Sequence, residues 1–559
     1  MLTYGSYIAG RESFSDEWTY TVRASAMLDD VIGSIRVKRD LDQGRMPAEQ
    51  APDSVVGRCA VADRHDVDAA LAAAAGAVRR WAARPLRDRL RFVTELHRLT
   101  REKHDEIVEM LVAEGHPRAL ARWEVSGIVV NTSPETVEFL AGQLEQHIPA
   151  GERRFTVRRV ADGVVCLNPP QNATLANAML GAWALAAGNA LVVRAPRSAP
   201  LGVLHAMHEL VVPALERAGA PAEVLSVVCS DAPQTLQQWL ESPLVDDIMY
   251  FGGSEQGVAF GAECVRHGKK PVLELAGNDI CVVWRDADLD LAATALAEAF
   301  YGSGQICMVP NCAVVHPDIA GELLDKLTER VRGIRPGMPE DPGVLLSPVR
   351  RTDAFQEVLD EALDLGAQLV SGGRRLDVDG TPNEVGGLFL EPTVVRVDGL
   401  KRSRLLRAVR EETFFPLLPV VVPDRAPDVE LMERIVEFTD ANPYGLRNSL
   451  WARDTEVIDA FVAGVRGGGL LKVNDSHIGF LPVLPTHGGT GLTGGPCGEA
   501  NYPALRTSHL QGVSVAAGID PSGAVFADAD APADSNADAP ADSNADAPAD
   551  SNADARETP

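Results

Sequence analysis

Apolar residues recur at helical spacing through the first stretch of the chain. Residues 66–82 (DVDAALAAAAGAVRRWA) and 86–114 place them three and four apart, which predicts amphipathic helices. From about residue 164 the pattern changes. Short β-branched runs, VVC at 164–166, ALVVR at 190–194, VLSVVC at 224–229 and DIMYF at 247–251, read as strands, with helical patterns such as 200–218 between them. A second set follows: DICVVW at 279–284, a helix over 289–301, CAVVH at 312–316 and a helix over 319–332. The chain then runs on through 352–365, LPVVVP at 418–423 and SLWAR at 449–453. Strands that alternate with helices imply a doubly wound parallel sheet, and two such sets imply two α/β domains.

Composition narrows the class. With 559 residues the chain has room for two or three domains, and 45% hydrophobic with 23% charged residues suits a globular enzyme. No run approaches the roughly 20 apolar residues of a membrane span. The opening MLTYGSYIAGRESFSDEW has neither the basic nor the apolar region of a secretory signal, so a cytoplasmic protein is expected. The eight cysteines (59, 166, 229, 264, 281, 307, 312 and 497) form no CxxC pair and no Cys/His cluster at metal spacing. Neither a disulfide framework nor a metal site is expected. A net charge of −27 argues against nucleic acid or anionic membrane as a partner. About a third of that charge lies from Asp520 onward, where ten acidic residues accompany one arginine. From Asp530 the unit DAPADSNA repeats three times, and so few large apolar residues predict a disordered, solubilising tail.

Two segments carry candidate chemistry. Cys307 ends FYGSGQIC, just past a glycine-containing turn, where a thiol could serve as an exposed nucleophile. A lone cysteine is more often buried and inert. Glu274 follows the apolar run PVL in LELAGND, where burial would raise its pKa and suit it to general-base work. By itself a surface salt bridge explains that glutamate equally well. No GxGxxG follows the early strands, so a dinucleotide site finds no direct motif.

Taken together, ELAGN and FYGSGQIC resemble the glutamate and cysteine signatures of the aldehyde dehydrogenase superfamily, at close to that family's spacing. YIAGRE at the start, EETFFP at 411–416, YGLRNSLWARD at 444–454 and HGGTGLTGG at 487–495 are similar to further family segments in the same order. The resemblance spans nearly all of residues 1–515. It implies two doubly wound α/β domains, one for cofactor and one for catalysis, plus a small oligomerisation element. The implied divisions are an arm and NAD(P)-binding domain over 1–273, with the chain returning near 470–515 to contribute to oligomerisation. A catalytic domain over 274–469 and a tail over 516–559 complete them.

The resemblance also implies a mechanism. Cys307 would attack the aldehyde carbon, its backbone N–H and the side chain of Asn172 in PPQNATL would hold the oxyanion, and Glu274 would activate the water that hydrolyses the thioester. On the cofactor side, Arg194 in GNALVVR takes the place of the lysine at the adenine ribose. Gly253 and Ser254 of FGGSEQG open the helix that faces pyrophosphate, Glu412 holds the nicotinamide ribose, and Phe414 lies beside it. Three positions past Arg194, where NAD-preferring members often carry an acid, stands Arg197. Two guanidinium groups there imply that NADP is accepted and favoured over NAD.

Several positions depart from the family pattern. PWN has become Pro170-Gln171-Asn172, and aligning Asn172 leaves the next helix one residue short. A one-residue shift would put Gln171 in the oxyanion role. Gly302 stands where an asparagine is usual, Cys312 where an arginine is, and ELGG has become ELAG. The implied function is oxidation of an aldehyde to an acid, by a homodimer or homotetramer acting on a small molecule. The alternatives are a semialdehyde or CoA-acylating enzyme, the acylating relatives generally lacking the Glu base, and a silent homologue with a binding role. Candidates for the substrate pocket are Asn177, Ser303, Ile306, Met308, His477 and Phe480.

Overall fold

The computed structural model describes residues 1–151 and 153–525. Two seven-stranded sheets organise residues 1–144 and 159–509. In the first, Lys270–Glu274, Asp247–Phe251, Val164–Asn168, Ala190–Pro196 and Leu225–Ser230 lie side by side and parallel. Ser6–Ile8 and Arg11–Ser13 extend the edge in antiparallel sense. The second sheet runs Gln368–Ser371, Thr393–Asp398, Leu417–Val422, Pro310–Val315, Asp279–Val283, Arg447–Trp451 and Leu470–Val473, parallel except for its first strand.

Burial on both faces explains why these strands are continuous apolar runs rather than alternating ones. Ile280 and Val282 point into one hydrophobic cluster while Cys281 and Val283 point into another on the opposite face. Cys312 and Val314 divide from Ala313 and Val315 in the same way. Cys312, Cys281, Cys166 and Cys59 are thus core side chains. Around the first sheet the helix Arg64–Ala82 starts with a reciprocal cap between Asp63 and Asp66 and buries Val67, Ala70, Leu71, Ala74 and Trp81.

Three expected helices differ in detail. The segment 86–114 is two helices, Leu86–Glu102 and His104–Glu114, because Lys103 leaves the helical region at φ −100°, ψ 17°. The helix over 200–218 contains a π-turn at Met207–Val211. The helix expected over 289–301 stops at Ala297, since Gly302 and Ser303 take left-handed backbone angles. The expected domain limits shift too. Leu470–Val473 closes the second sheet, so the catalytic half continues past 469, because its apolar residues complete that sheet's edge. The short helix Pro503–Arg506 packs on Trp183–Ala187 of the first half.

A separate small unit comprises residues 145–158 and 510 onward. Its antiparallel sheet has the order Ser508–Ala516, Arg153–Ala161, Glu145–Ala150, with Ile148, Leu510 and Val515 exposed. The tail expected from 516 starts later than that: Ala516 ends a strand and Pro521–Val525 is a short helix. Residues 526–559, including the repeats, lie outside the described residues. Among the described residues no helix is long and apolar enough to cross a membrane.

Candidate active site

The turn before Cys307 is held in a costly conformation. Gly302, Ser303 and Gly304 are all left-handed, at φ 61°, 58° and 70°. Serine pays for that backbone, and its buried hydroxyl offsets the cost by donating to the Ser347 carbonyl (2.6 Å) and accepting from the Ser347 N–H (3.0 Å). A β-carbon on Gly304 would overlap the Phe415 carbonyl, so only glycine lets this turn press against the EETFFP segment. Asparagine tolerates the same left-handed angles, which explains how a glycine can stand at 302 in its place.

Cys307 sits half-buried among Ile306, Met308, Val309, Leu446 and Ile478. Burial, with the Glu412 carboxylate adding to it, pushes its thiol up to about 12, while Arg447 pulls the other way. At neutral pH the resting thiol is therefore protonated, and attack requires a proton acceptor. The ELAGN turn lies directly against it: a β-carbon on Gly277 would overlap the Cys307 carbonyl. Here the structure brings the sequence-derived residues together. Asn172 donates from Nδ2 to the Gln305 carbonyl at 2.9 Å, two residues before the cysteine, while Gln171 is exposed. Glu412 accepts from the Gly277 N–H at 3.1 Å, and burial raises it to about 8.

Glu274 ends the strand Lys270–Glu274, and its carboxylate is buried. One oxygen is ion-paired with Arg506 and the other accepts from the Gly488 N–H at 2.6 Å. Arg506 also donates to the Leu273 carbonyl at 2.8 Å. Burial raises the carboxyl, and Arg506 and the Gly488 N–H oppose that rise. Arg506 was not singled out in the sequence. Its only signal is one charge in the otherwise apolar run YPAL just past the glycine turn.

A second buried polar group escaped the sequence reading. Arg447 donates to the carbonyls of His477 (2.7 Å) and Thr486 (2.8 Å), and lies 3.9 Å from Asp279. His477 bonds Ser449 at 2.7 Å, and burial holds its pKa well below the usual value, so its ring is neutral. Glu298 accepts from the Ser476 hydroxyl and the Ile478 N–H. His477 therefore acts as a brace for the loop that carries Ile478 and Phe480, and charged residues inside the strand RNSLW were the available hint.

The cofactor candidates gather at the carboxyl ends of the first sheet's strands, where open α/β sheets bind ligands. Arg194, buried near the end of Ala190–Pro196, donates to Asn168 Oδ1 (2.6 Å) and to the Ser230 carbonyl (2.9 Å), so it ties three neighbouring strand ends together. Burial lowers its pKa to about 10. Gly253 caps the 13-residue helix Ser254–Arg266, and the buried Ser254 hydroxyl has no partner, as a position awaiting phosphate would. Phe414 holds a left-handed backbone at φ 60° next to Glu412. Arg197 differs from its expected free state. Its guanidinium already pairs with Glu17 (2.7 Å) and Asp231 (3.0 Å), two carboxylates that fold beside it from remote parts of the chain.

Residues 44–505 match the model of the aldehyde dehydrogenase family. Vanillin dehydrogenase of Corynebacterium glutamicum is 31% identical over 463 residues, which cover 81% of this chain and 90% of that protein. Glutarate-semialdehyde dehydrogenase of Pseudomonas aeruginosa is 30% identical over 457 residues, 79% of this chain and 89% of that one. Among solved structures, an NAD-dependent aldehyde dehydrogenase from Sinorhizobium meliloti superposes with a TM-score of 0.75 at 24% identity, over 93% of this chain and 95% of that one, a likeness of fold.

Proposed function

Since the chain belongs to the aldehyde dehydrogenase family and is an NAD(P)-dependent enzyme that oxidises aldehydes, we propose that Cys307 is its nucleophile, Asn172 its oxyanion donor and Glu274 its deacylation base. The observation that carries this reading is the bond from Asn172 to the Gln305 carbonyl, which sets an amide donor against the backbone two residues before the thiol. As sulfur adds to the aldehyde carbon, the Cys307 proton passes through water to the Glu274 carboxylate, which releases it to solvent before deacylation. The new C–O⁻ is met by the remaining N–H of Asn172 and the backbone N–H of Cys307. Bound NAD(P)+ supplies the hydride acceptor that takes this carbon to the level of an acyl thioester. Glu274 then takes a proton from water, whose oxygen attacks the thioester carbon, and the acid leaves as the Cys307 thiol re-forms.

Each group has a physical reason for its role. The raised pKa of Glu274, set by burial, makes it a better proton acceptor than an exposed glutamate, and Arg506 and the Gly488 N–H oppose that rise. Arg194, the start of the Ser254–Arg266 helix, Glu412 and Phe414 would hold the cofactor. The unpartnered Ser254 hydroxyl supports the fit. The balance between NAD and NADP turns on Arg197. A 2′-phosphate would have to displace two carboxylates from it, whereas a ribose diol displaces none, so this arrangement moves our proposal from NADP to NAD.

The relatives' names include aromatic aldehydes, semialdehydes and 3-sulfolactaldehyde, and all fall within this reading. The exposed apolar residues of the small sheet, Ile148, Leu510 and Val515, support a homo-oligomer, and a cytoplasmic setting fits the free cysteines. Glu274→Gln tests the mechanism. It is expected to give a burst of reduced cofactor equal to the enzyme present, followed by steady turnover slowed by ~10²–10⁴-fold. Undiminished steady turnover would remove Glu274 from the role.

A further inference from the structure

The small sheet gathers positive charge on an otherwise acidic chain. The net charge is −27, yet the strand Arg153–Ala161 (RRFTVRRVA) holds four arginines and no acid. Successive side chains of a strand point to opposite faces, so Arg154, Thr156 and Arg158 share one face. The register with Glu145–Ala150 sets Pro149, His147 and Glu145 opposite them on that face, and Ile148 opposite Phe155 on the other. Arg154 and Arg158 are exposed. Arg158 donates two N–H groups to Gln511 Oε1, a neutral acceptor, at 2.9 and 2.7 Å. Arg154 has no carboxylate partner among the described residues. Glu145, on the same face, lies 3.4 Å from His147 instead. Elsewhere on the surface an arginine such as Arg374 meets its carboxylate, Glu391, at 2.8 Å. The arginine face of the small sheet lacks that counter-charge.

Beside these arginines lies an open groove of about 500 Å³, whose walls include His147, Arg153, Arg154, Phe155, Thr156 and Val515. From Val515 the chain runs through the short helix Pro521–Val525 into residues 526–559. That segment contains nine acidic residues and one arginine, and from Asp530 to Asp554 an aspartate stands at every fourth position. Four residues of extended chain span about 13 Å, which is also the separation of Arg154 and Arg158 along their strand. The segment that leaves the groove thus matches the arginine face in both charge and spacing.

We propose that the acidic segment 526–559 docks on the arginine face of the small sheet, its aspartates pairing with Arg154 and Arg158. Exposed ion pairs of this kind are individually weak and screened by salt. Tethering offsets the weakness. A segment joined to the chain beside its own site is present there at an effective concentration on the order of 1 mM. A contact with a Kd of about 10⁻⁴ M between separate molecules is then about nine-tenths filled within one chain. Docking neutralises a strand that would otherwise attract other polyanions, and it leaves the face of Ile148 and Phe155 open to a second copy. The pairing is independent of the chemistry at Cys307.

Phenylglyoxal footprinting of the full-length protein, read by mass spectrometry, measures how open each arginine is. The tail-neutralised variant changes the aspartates at 530, 534, 538, 542, 546, 550 and 554, each as in Asp530→Asn. In it Arg154 and Arg158 are expected to react several-fold faster than in the parent, while Arg374 is unchanged. A fluorescein-labelled peptide of residues 530–554 should bind the tail-neutralised protein with a Kd of about 10⁻⁴ M at low salt, and lose binding in about 0.5 M NaCl. Arg154→Gln together with Arg158→Gln should weaken that binding by about tenfold. Equal reactivity of Arg154 and Arg158 in the parent and the tail-neutralised variant would overturn the docking. Protection that persists in that variant and rises with protein concentration would overturn it too, by showing that a second copy covers this face. Peptide binding untouched by the arginine substitutions would place the acidic segment elsewhere.

Discussion

The two seven-stranded sheets share a parallel architecture but differ in the company that some of their ionisable groups keep. Where the first sheet ends, guanidinium groups are fully engaged. Arg194 is tied to Asn168 and Ser230, Arg197 to Glu17 and Asp231, and Arg506 to Glu274. In the second half, Glu412 accepts from the Gly277 N–H and Cys307 lies among apolar side chains, and burial pushes their pKa values up to about 8 and about 12. A scaffold that holds a cofactor can afford saturated pairs. A site that moves protons needs groups whose charged form is held at a disadvantage until reaction.

The sharpest test of that contrast removes the thiol. Cys307→Ala is expected to lose on the order of 10⁴-fold or more in kcat with an unchanged melting temperature, since a half-buried thiol contributes little packing. Activity within a few-fold of the parent would place the nucleophile elsewhere. Arg506→Gln removes the cation paired with Glu274, the proposed base. Leaving the Glu274 carboxylate buried and unpaired should cost about 3–5 kcal/mol of stability. It should also raise the Glu274 pKa further, moving the acid limb of steady-state turnover to higher pH. Arg506→Lys should restore part of both effects, and an unmoved acid limb in Arg506→Gln would show that the pair is merely structural.

Glu412 offers the converse case. Its folded-state pKa of about 8 lies above the ordinary 4.5, so the folded chain keeps a proton that the unfolded chain releases between those values. Its contribution to stability is fully present below about pH 4.5 and is lost as pH rises through about 8. Glu412→Gln should therefore match the parent near pH 4.5 and exceed it above pH 8, by on the order of 2–4 kcal/mol in denaturant unfolding. A parent that gains on the variant as pH rises would contradict the assignment. The smallest expected effect is at Arg197. Arg197→Ala should change the NAD to NADP ratio of kcat/KM by less than about threefold, because its charge is already compensated. A loss of NADP use by tenfold, about 1.4 kcal/mol, would return Arg197 to the phosphate.

Much of this molecule was legible in its residue pattern, for a physical reason. Strands buried on both faces are mainly apolar, so DIMYF at 247–251 matches Asp247–Phe251 residue for residue, and amphipathic helices repeat every three or four residues. Cys307, Glu274 and Asn172 are candidates through the family resemblance, and their roles are the proposal made above. What a charged side chain meets was not readable. Arg197's partner Glu17 lies 180 residues away in sequence, and Glu274's partner Arg506 lies 232 residues away. That Asn172 rather than Gln171 lays its amide on the Gln305 carbonyl was likewise decided by the folded loop. Local sequence sets a group's chemical type and its element. Its pKa, its partner and its availability depend on distance in space, which only the folded chain decides.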